Sequence, residues 1–352
     1  MKILHVTSVY EGGVSRAIET IVRILPECTH LLLADGADLN NEKVSYESLD
    51  KLPNGLRHRI RSTRRMIETH RPDIIHAHSS WAGFYARIFP FGIPVVYQPH
   101  CFVMEDPTRS SSLRALYHAA EHFLSLRSDT TVTLSNREME LARRLLGHRL
   151  SDKKRIVLVP NAPSRIVQPG LTGPVERYKP EDSINVIMVG RVCSQKDPEF
   201  YTRVIDEIHR ISTVAVGFRW IGDGDKDLRA KLADHGVEVT GWLDGAELNR
   251  QLTEADLYLH TARYEGFPLS VLDAANYDIP IVARSIPCFD GTALITAESP
   301  EDMARIAIGI LADSVLRKKA IQCGRGLLET MNEDTQREAL RALYLEDAEV
   351  LR

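Results

Sequence analysis

Residues 255–284 read ADLYLHTARYEGFPLSVLDAANYDIPIVAR. An apolar run, ADLYLHTA, ends in a short loop that carries Glu265 and Gly266. Pro268 then suits the first position of a helix, where its missing N–H costs nothing. The helix is expected over 268–277, and a second apolar run, IPIVAR at 279–284, follows it. Two short apolar runs joined through a helix imply parallel strands and a right-handed crossover.

The same rhythm extends in both directions. Toward the N-terminus lie strands INVIMVGR (184–191), VGFRWIGDG (216–224) and VEVTGWL (237–243), separated by helices near 198–211, 226–235 and 245–254. Residues 163–183 break it with Pro163, Pro169, Gly170, Gly173, Pro174 and Pro180, which marks a linker. Before the linker the alternation runs again. KILHVTSV (2–9), HLLLA (30–34), DIIHAH (73–78), IPVVYQPH (93–100), TTVTLS (130–135) and RIVLVPNA (155–162) read as strands. VSRAIETIVRIL (14–25), the basic stretch 55–70 and residues 110–127 read as helices, and the tail from 300 is largely helical. The expected fold is α/β, with two doubly wound Rossmann-like domains facing each other across a cleft. Boundaries are placed at 1–165, a linker at 166–183, 184–335, and a C-terminal helix at 336–352 returning to the N-terminal domain.

Composition sets outer limits. The chain has 352 residues, 43% hydrophobic and 26% charged, with a net charge of -4, so nothing points to nucleic acid. Cys28, Cys101, Cys193, Cys288 and Cys323 are odd in number and far apart, which suits a reducing compartment better than a disulfide framework. The N-terminal apolar run is too short for an export signal, and no stretch reaches the roughly 20 apolar residues of a membrane helix. A cytoplasmic protein is expected.

Chemistry concentrates at strand ends, where ligands of such sheets sit. Gly266 permits close backbone approach, and the amides near Leu269 and Ser270 are unpaired donors at a positive helix end, a ready phosphate site. Asp273 lies one helical turn on and can line the same place. GRVCSQKDP, 190–198, closes another strand with Arg191 and Lys196. A departing pyrophosphate gathers negative charge that a metal or fixed cations must stabilise. Arg supplies a bidentate fork and Lys a compact charge. Each feature alone reads as a solvated loop; their order within consecutive βα units favours function.

These residues resemble the family-4 glycosyltransferases of the GT-B fold. The family's glutamate, seven residues and second acid correspond to Glu265 through Asp273. Its GR…K loop corresponds to Arg191 and Lys196. WIGDGDKDLRAKL (220–232), GGVSRA (12–17), HAH (76–78), His100 and VPNA extend the likeness over about the whole chain. The resemblance implies a retaining hexosyl transfer from a UDP- or GDP-sugar to a saccharide or lipid-linked acceptor, in envelope or exopolysaccharide synthesis. No metal or other cofactor is required. Arg191 and Lys196 would hold the diphosphate, with Gly13 and Gly190 allowing close approach. Glu265 and His100 would serve the sugar and the reacting centre. Gly266, Phe267, Pro268, Leu269 and Ser270 would contact sugar and phosphate, and Asp273 the ribose hydroxyls. The family usually has glutamate at that last position; aspartate is one methylene shorter, so the ribose contact is the one most exposed to change.

Other readings compete. Asp223, Asp225 and Asp227 fail the EF-hand template, because its sixth and twelfth positions fall on Leu228 and Asp234. A turn and helix start explains them better than a metal. His76 and His78 point the same way on one strand and give half a zinc site; without a third ligand they read as an acceptor-side strand end, with Asn161. Trp81 and Phe84 suit either sugar stacking or core packing. The basic helix with Arg57, Arg59, Arg61, Arg64 and Arg65 is either a solvated face or a peripheral docking surface for an anionic membrane at its inner face. Rival functions are a nucleotide-sugar epimerase on the same fold and a non-catalytic nucleotide-sugar-binding subunit.

Overall fold

The apolar runs pair in parallel throughout the computed structural model, which describes all residues except 37–38, 40–43, 148–154, 166, 168–183, 213–214 and 347–352. The proposed linker therefore lies almost entirely outside the described residues. The chain divides into two units. Unit 1 comprises Met1–Asn161, Glu265–Phe267 and Asn332–Arg352; unit 2 comprises Ala162–Tyr264 and Pro268–Met331.

Unit 1 is built on a seven-stranded sheet of order β3-β2-β1-β4-β5-β6-β7. Its strands are β1 (Lys2–Thr7), β2 (Thr29–Ala34), β3 (Ser48–Lys51), β4 (Ile74–His78), β5 (Val95–Gln98), β6 (Thr130–Thr133) and β7 (Arg155–Leu158). The inner strands are buried on both faces, as parallel strands covered by helices must be. Helix α1 (Gly12–Ile24) buries Ala17, Ile18, Ile21 and Val22 on one face, following the helical spacing of its apolar residues. The helix Glu333–Arg341, capped by Asn332, and the π turn after it bring Leu340, Leu343 and Tyr344 into one cluster with Ile3, Ile24, Ile74, Val96 and Val132. Paired Arg23 and Glu333, 2.7 Å apart, fasten the same helix from outside. Exposed pairs of that kind contribute little, at most about 1 kcal/mol, so the buried apolar residues hold this tail in place.

Unit 2 has a six-stranded sheet of order β10-β9-β8-β11-β12-β13. Its strands are β8 (Ile184–Val189), β9 (Val216–Ile221), β10 (Val237–Val239), β11 (Leu257–His260), β12 (Ile281–Arg284) and β13 (Thr296–Ala297). In both sheets strand order reverses beside the first strand, between β1 and β4 and between β8 and β11. Those two switch points are where the loops at the carboxyl ends diverge and leave room for a ligand.

Candidate active site

In unit 2 the loop after β8 and the loop after β11 meet at the switch point. Arg191 is exposed and Lys196 half-buried on the first of them. Gln195 donates through Nε2 to Tyr264 O at 3.0 Å and receives at its carbonyl the Arg263 N–H at 2.8 Å; Thr261 Oγ1 donates to Lys196 O at 2.8 Å. Behind Lys196 sits Asp197, 2% exposed and in a left-handed backbone conformation with φ of 53°. Its carboxylate caps the helix Pro198–Ile211 and pairs with Arg263 at 2.8 Å and Arg284 at 2.7 Å. One buried acid thus sets the path of both loops. The sequence reading missed it, although an Asp-Pro at a helix start is the signal that could have found it.

Gly190 follows β8 with its hydrogens against the Lys196 stem: a Cβ there would stand 3.0 Å from Lys196 Cε. Its neighbour across the strands, Gly222, has φ of 145°, and a Cβ on it would fall 2.1 Å from the Gly190 carbonyl oxygen. Trp220 Nε1 donates to that same oxygen at 2.8 Å.

The short helix α9 spans Leu269–Asn276, so Pro268 takes the cap position, one residue before the position expected for it. No side chain caps this helix start. Its first amides therefore keep the donor character that favours an anion. Leu269 and Ser270 are buried, and Ser270 Oγ receives the Tyr258 hydroxyl at 2.9 Å. Asp273 is 2% exposed and accepts from Ser164 N at 2.6 Å, Ser164 Oγ at 2.8 Å and Arg165 N at 3.1 Å. In this arrangement it pins the chain that leads into the linker. A ribose would have to share or displace those donors.

Unit 1 gathers the other candidates. The loop residues Glu265–Phe267 are grouped with it, Glu265 half-buried and Gly266 and Phe267 buried. Asn161, 3% exposed, donates through Nδ2 to Phe267 O at 2.9 Å. A Cβ at Gly266 would lie 2.4 Å from His100 O and 2.8 Å from Glu138 Oε1, so no larger residue fits without moving backbone. Glu138 is a second residue the sequence reading overlooked. Its Oε2 accepts from Leu134 N at 2.8 Å, its own N–H is capped by Ser135 Oγ at 3.3 Å, and burial raises its carboxyl to about 7. The Ser-x-x-Glu spacing at 135–138 is the capping-box pattern that could have revealed it.

Gly13 lies exposed in the first turn of α1 with open space around it. Trp81, in the helix Ser80–Arg87, is 58% exposed, with its ring 6.3 Å from Tyr85 and 6.1 Å from Phe84. His76 and His78 are fully buried. Their strand neighbour His5 supplies the third imidazole the sequence could not show: nitrogens of the three lie within 4.8 Å of one another. Five of those six ring nitrogens are nevertheless engaged in hydrogen bonds to His30, His78 or His5, His100 and Tyr344. Desolvation lowers His76 to about 3 and His100 to about 4, and holds His5 and His78 well below the ordinary histidine range. All are neutral at pH 7.

Residues 12–162 match the family model described as Glycosyl transferase 4-like domain, and residues 183–313 match Glycosyl transferases group 1. The chain is a glycosyltransferase of the GT-B class. It is 26% identical over 303 residues to an uncharacterized 41.2 kDa protein in the cps region of Klebsiella pneumoniae, covering 81% of each chain. It is 24% identical over 316 residues to the UDP-Gal:alpha-D-GlcNAc-diphosphoundecaprenol alpha-1,3-galactosyltransferase of Escherichia coli, covering 81% of this chain and 78% of that protein. Among solved structures, Anabaena HepE in complex with UDP and glucose superposes with a TM-score of 0.76 at 15% identity, covering 97% of this chain and 99% of HepE. The glycosyltransferase acts on a nucleotide sugar, and both halves expected of it, the two Rossmann-like sheets, are present. Among the described residues no helix is long and apolar enough to cross a membrane. The five cysteines are all free thiols.

Proposed function

We propose that this glycosyltransferase moves a hexosyl unit from a UDP-sugar to a lipid-linked diphosphate saccharide, with retention of configuration and without a metal, in the assembly of a surface polysaccharide. The observation that carries the reading is the uncapped start of α9, which follows a loop tied to Gln195 and Lys196 on the same β8 loop that bears Arg191. Fixed cations and aimed amides together supply what a divalent ion would otherwise supply to a leaving diphosphate. The uridine assignment draws on HepE, whose structure holds UDP, and the acceptor class on the E. coli relative, whose name specifies a diphosphoundecaprenol-linked sugar.

In this reading Arg191 and Lys196 neutralise the diphosphate as the glycosidic bond breaks. The acceptor hydroxyl attacks the face the diphosphate leaves, and a phosphate oxygen takes its proton. Glu265 and His100 hold the sugar, and Gly266 through Ser270 lie along sugar and phosphate. Asp273 contacts ribose only if Ser164 yields a hydrogen bond. The half-exposed basic helix Leu56–His70 contacts anionic lipid through Arg57, Arg61 and Arg65; Arg59 is committed to Asp35, Tyr85 and Pro53 O, and Arg64 to Glu68.

The test is a transfer assay with a panel of UDP- and GDP-hexoses and a prenyl-diphosphate saccharide, run in chelator, with the anomeric configuration of the product read by NMR. Transfer from a UDP-hexose with the donor's configuration kept is expected. An inverted product, or activity that needs added magnesium, overturns the mechanism. A donor converted to its isomer without acceptor would instead make the chain an epimerase.

A further inference from the structure

Three buried imidazoles and the half-buried His100 form an unbroken file across the β1–β4 switch point of unit 1. His30 Nε2 lies 3.1 Å from Leu25 O, His30 Nδ1 3.0 Å from His5 Nε2, His5 Nδ1 3.1 Å from His78 Nε2, and His78 Nδ1 3.0 Å from His100 Nε2. The rings stack edge over edge, with centroids 5.2–5.3 Å apart along the file. Burial lowers the pKa of each of the four, so each carries a single ring proton at neutral pH.

A carbonyl oxygen has no proton to give. His30 must therefore donate from Nε2 to Leu25 O, which leaves its Nδ1 a bare lone pair. His5 must then donate from Nε2 to that lone pair, His78 must donate from Nε2 to His5 Nδ1, and His100 must donate from Nε2 to His78 Nδ1. One backbone carbonyl dictates the tautomer of all four rings. Reversal at any one link would set two protons, or two lone pairs, against each other at about 3 Å in a site without water's dielectric.

We propose that His5, His30 and His78 are positioning residues that lock His100 as the Nε2–H tautomer, so that its Nδ1, the ring nitrogen the file does not use, serves as a fixed hydrogen-bond acceptor for a sugar hydroxyl. The assignment of a sugar to His100 rests on the proposed function; the file itself does not. The consequence is directional. His100 accepts a hydrogen bond from a hydroxyl through Nδ1 and cannot donate one there without the file reversing. The carbonyl of the same residue, held left-handed at φ of 59°, packs against Gly266, so the orientation of the ring and the seat of the Glu265 loop are fixed at one position.

The test is long-range proton–nitrogen NMR on the full chain labelled with ¹⁵N-histidine at neutral pH, with rings assigned by single substitutions. His5, His30, His78 and His100 are each expected to show a protonated Nε2 and a bare Nδ1. His30→Gln keeps an amide donor for Leu25 O and a carbonyl acceptor for His5, and should leave the His100 pattern intact. His30→Phe offers neither, and should convert His100 to an average of two tautomers and lower kcat, an effect His30→Gln lacks. His100 protonated on Nδ1 in the native chain, stoichiometric zinc held by His5 and His78, or an unchanged His100 spectrum in a folded His30→Phe protein would each overturn the file. The native spectrum decides even if His30→Phe does not fold. Failure of the transferase reading is recognised separately, as the expected spectrum in a chain that transfers no sugar.

Discussion

The two switch points share a topology and differ in chemistry. In unit 2 the reversal beside β8 is finished by cations and helix amides on loops: Arg191 is exposed, Lys196 half-buried, and the start of α9 uncapped. In unit 1 the reversal beside β1 is filled by fully buried neutral rings, His5, His76 and His78, that hydrogen-bond to one another and to their neighbours. Charge near solvent can meet a charged ligand. Neutral imidazoles in a dry interior cannot offer charge, but they hold a direction. In the proposed mechanism, electrostatic stabilisation belongs to unit 2 and orientation to unit 1.

The contrast can be broken at several points. The largest effect should come from Asp197, whose buried carboxylate holds Arg263 and Arg284. Asp197→Ala removes the buried carboxylate that both arginines pair with and should cost about 3–5 kcal/mol of folding stability. Chemical denaturation measures it, and a loss under 1 kcal/mol would mean the loops are held by something else. Next is Lys196→Ala, expected to remove about 2–4 kcal/mol of transition-state stabilisation with folding stability nearly unchanged. Steady-state kinetics beside a melting curve separates those two quantities. A near-native rate would take the cation pair out of the mechanism.

Two smaller effects probe unit 1. Gly266→Ala places a methyl into His100 O and Glu138 Oε1 and should cost about 1–3 kcal/mol, visible in denaturation and as a lower turnover. Unaltered stability and turnover would show that the 265–267 loop seats elsewhere in solution. The smallest is a pH effect of one carboxyl. Burial raises Glu138 to about 7, so the folded state holds its proton longer than the unfolded chain does. Its stabilising contribution is present below the unfolded value near 4.5 and is lost as pH rises through about 7. Glu138→Gln should therefore gain on the native protein as pH rises across that window and run parallel to it outside. The histidines act in the opposite sense. With folded values of about 4 for His100 and about 3 for His76, their contribution is present above the ordinary 6.5 and is lost as acid is added. An acid limb that survives in His76→Gln and His100→Gln unchanged would show that those rings are not held neutral.

The division between the units also explains what the sequence could tell. Strand and helix alternation is a local pattern, so both doubly wound sheets were legible, and so was the order of Glu265, Gly266, Pro268 and Asp273 within one βα unit. His5 and His30 carried no such mark. A histidine in a buried strand looks like any other polar interruption until parallel pairing sets His5 beside His76, and that register comes from residues 71 positions apart. Asp197 and Glu138 were hidden for a related reason. Each looks like an ordinary helix-start acid, and only folding shows that one is buried between two arginines and the other beside Gly266. Asp273 shows the converse. The resemblance implied a ribose contact for it, and the fold gives its oxygens Ser164 and Arg165 as partners, residues the motif does not include.

The basic helix can be tested beside these. Flotation with liposomes rich in anionic lipid should carry the protein upward, and Arg57, Arg61 and Arg65 changed together to Gln should reduce it, at roughly 1 kcal/mol per residue near the surface. Equal flotation on neutral vesicles would remove the anionic lipid, and with it the role of these arginines, from the mechanism.

Titration calorimetry of UDP into the protein in excess chelator tests the central claim most directly. Binding should be undiminished by chelator and should collapse when Arg191 and Lys196 are both replaced by alanine. Binding that needs magnesium, or that survives the double replacement at native affinity, would contradict a diphosphate site made of fixed cations and helix amides.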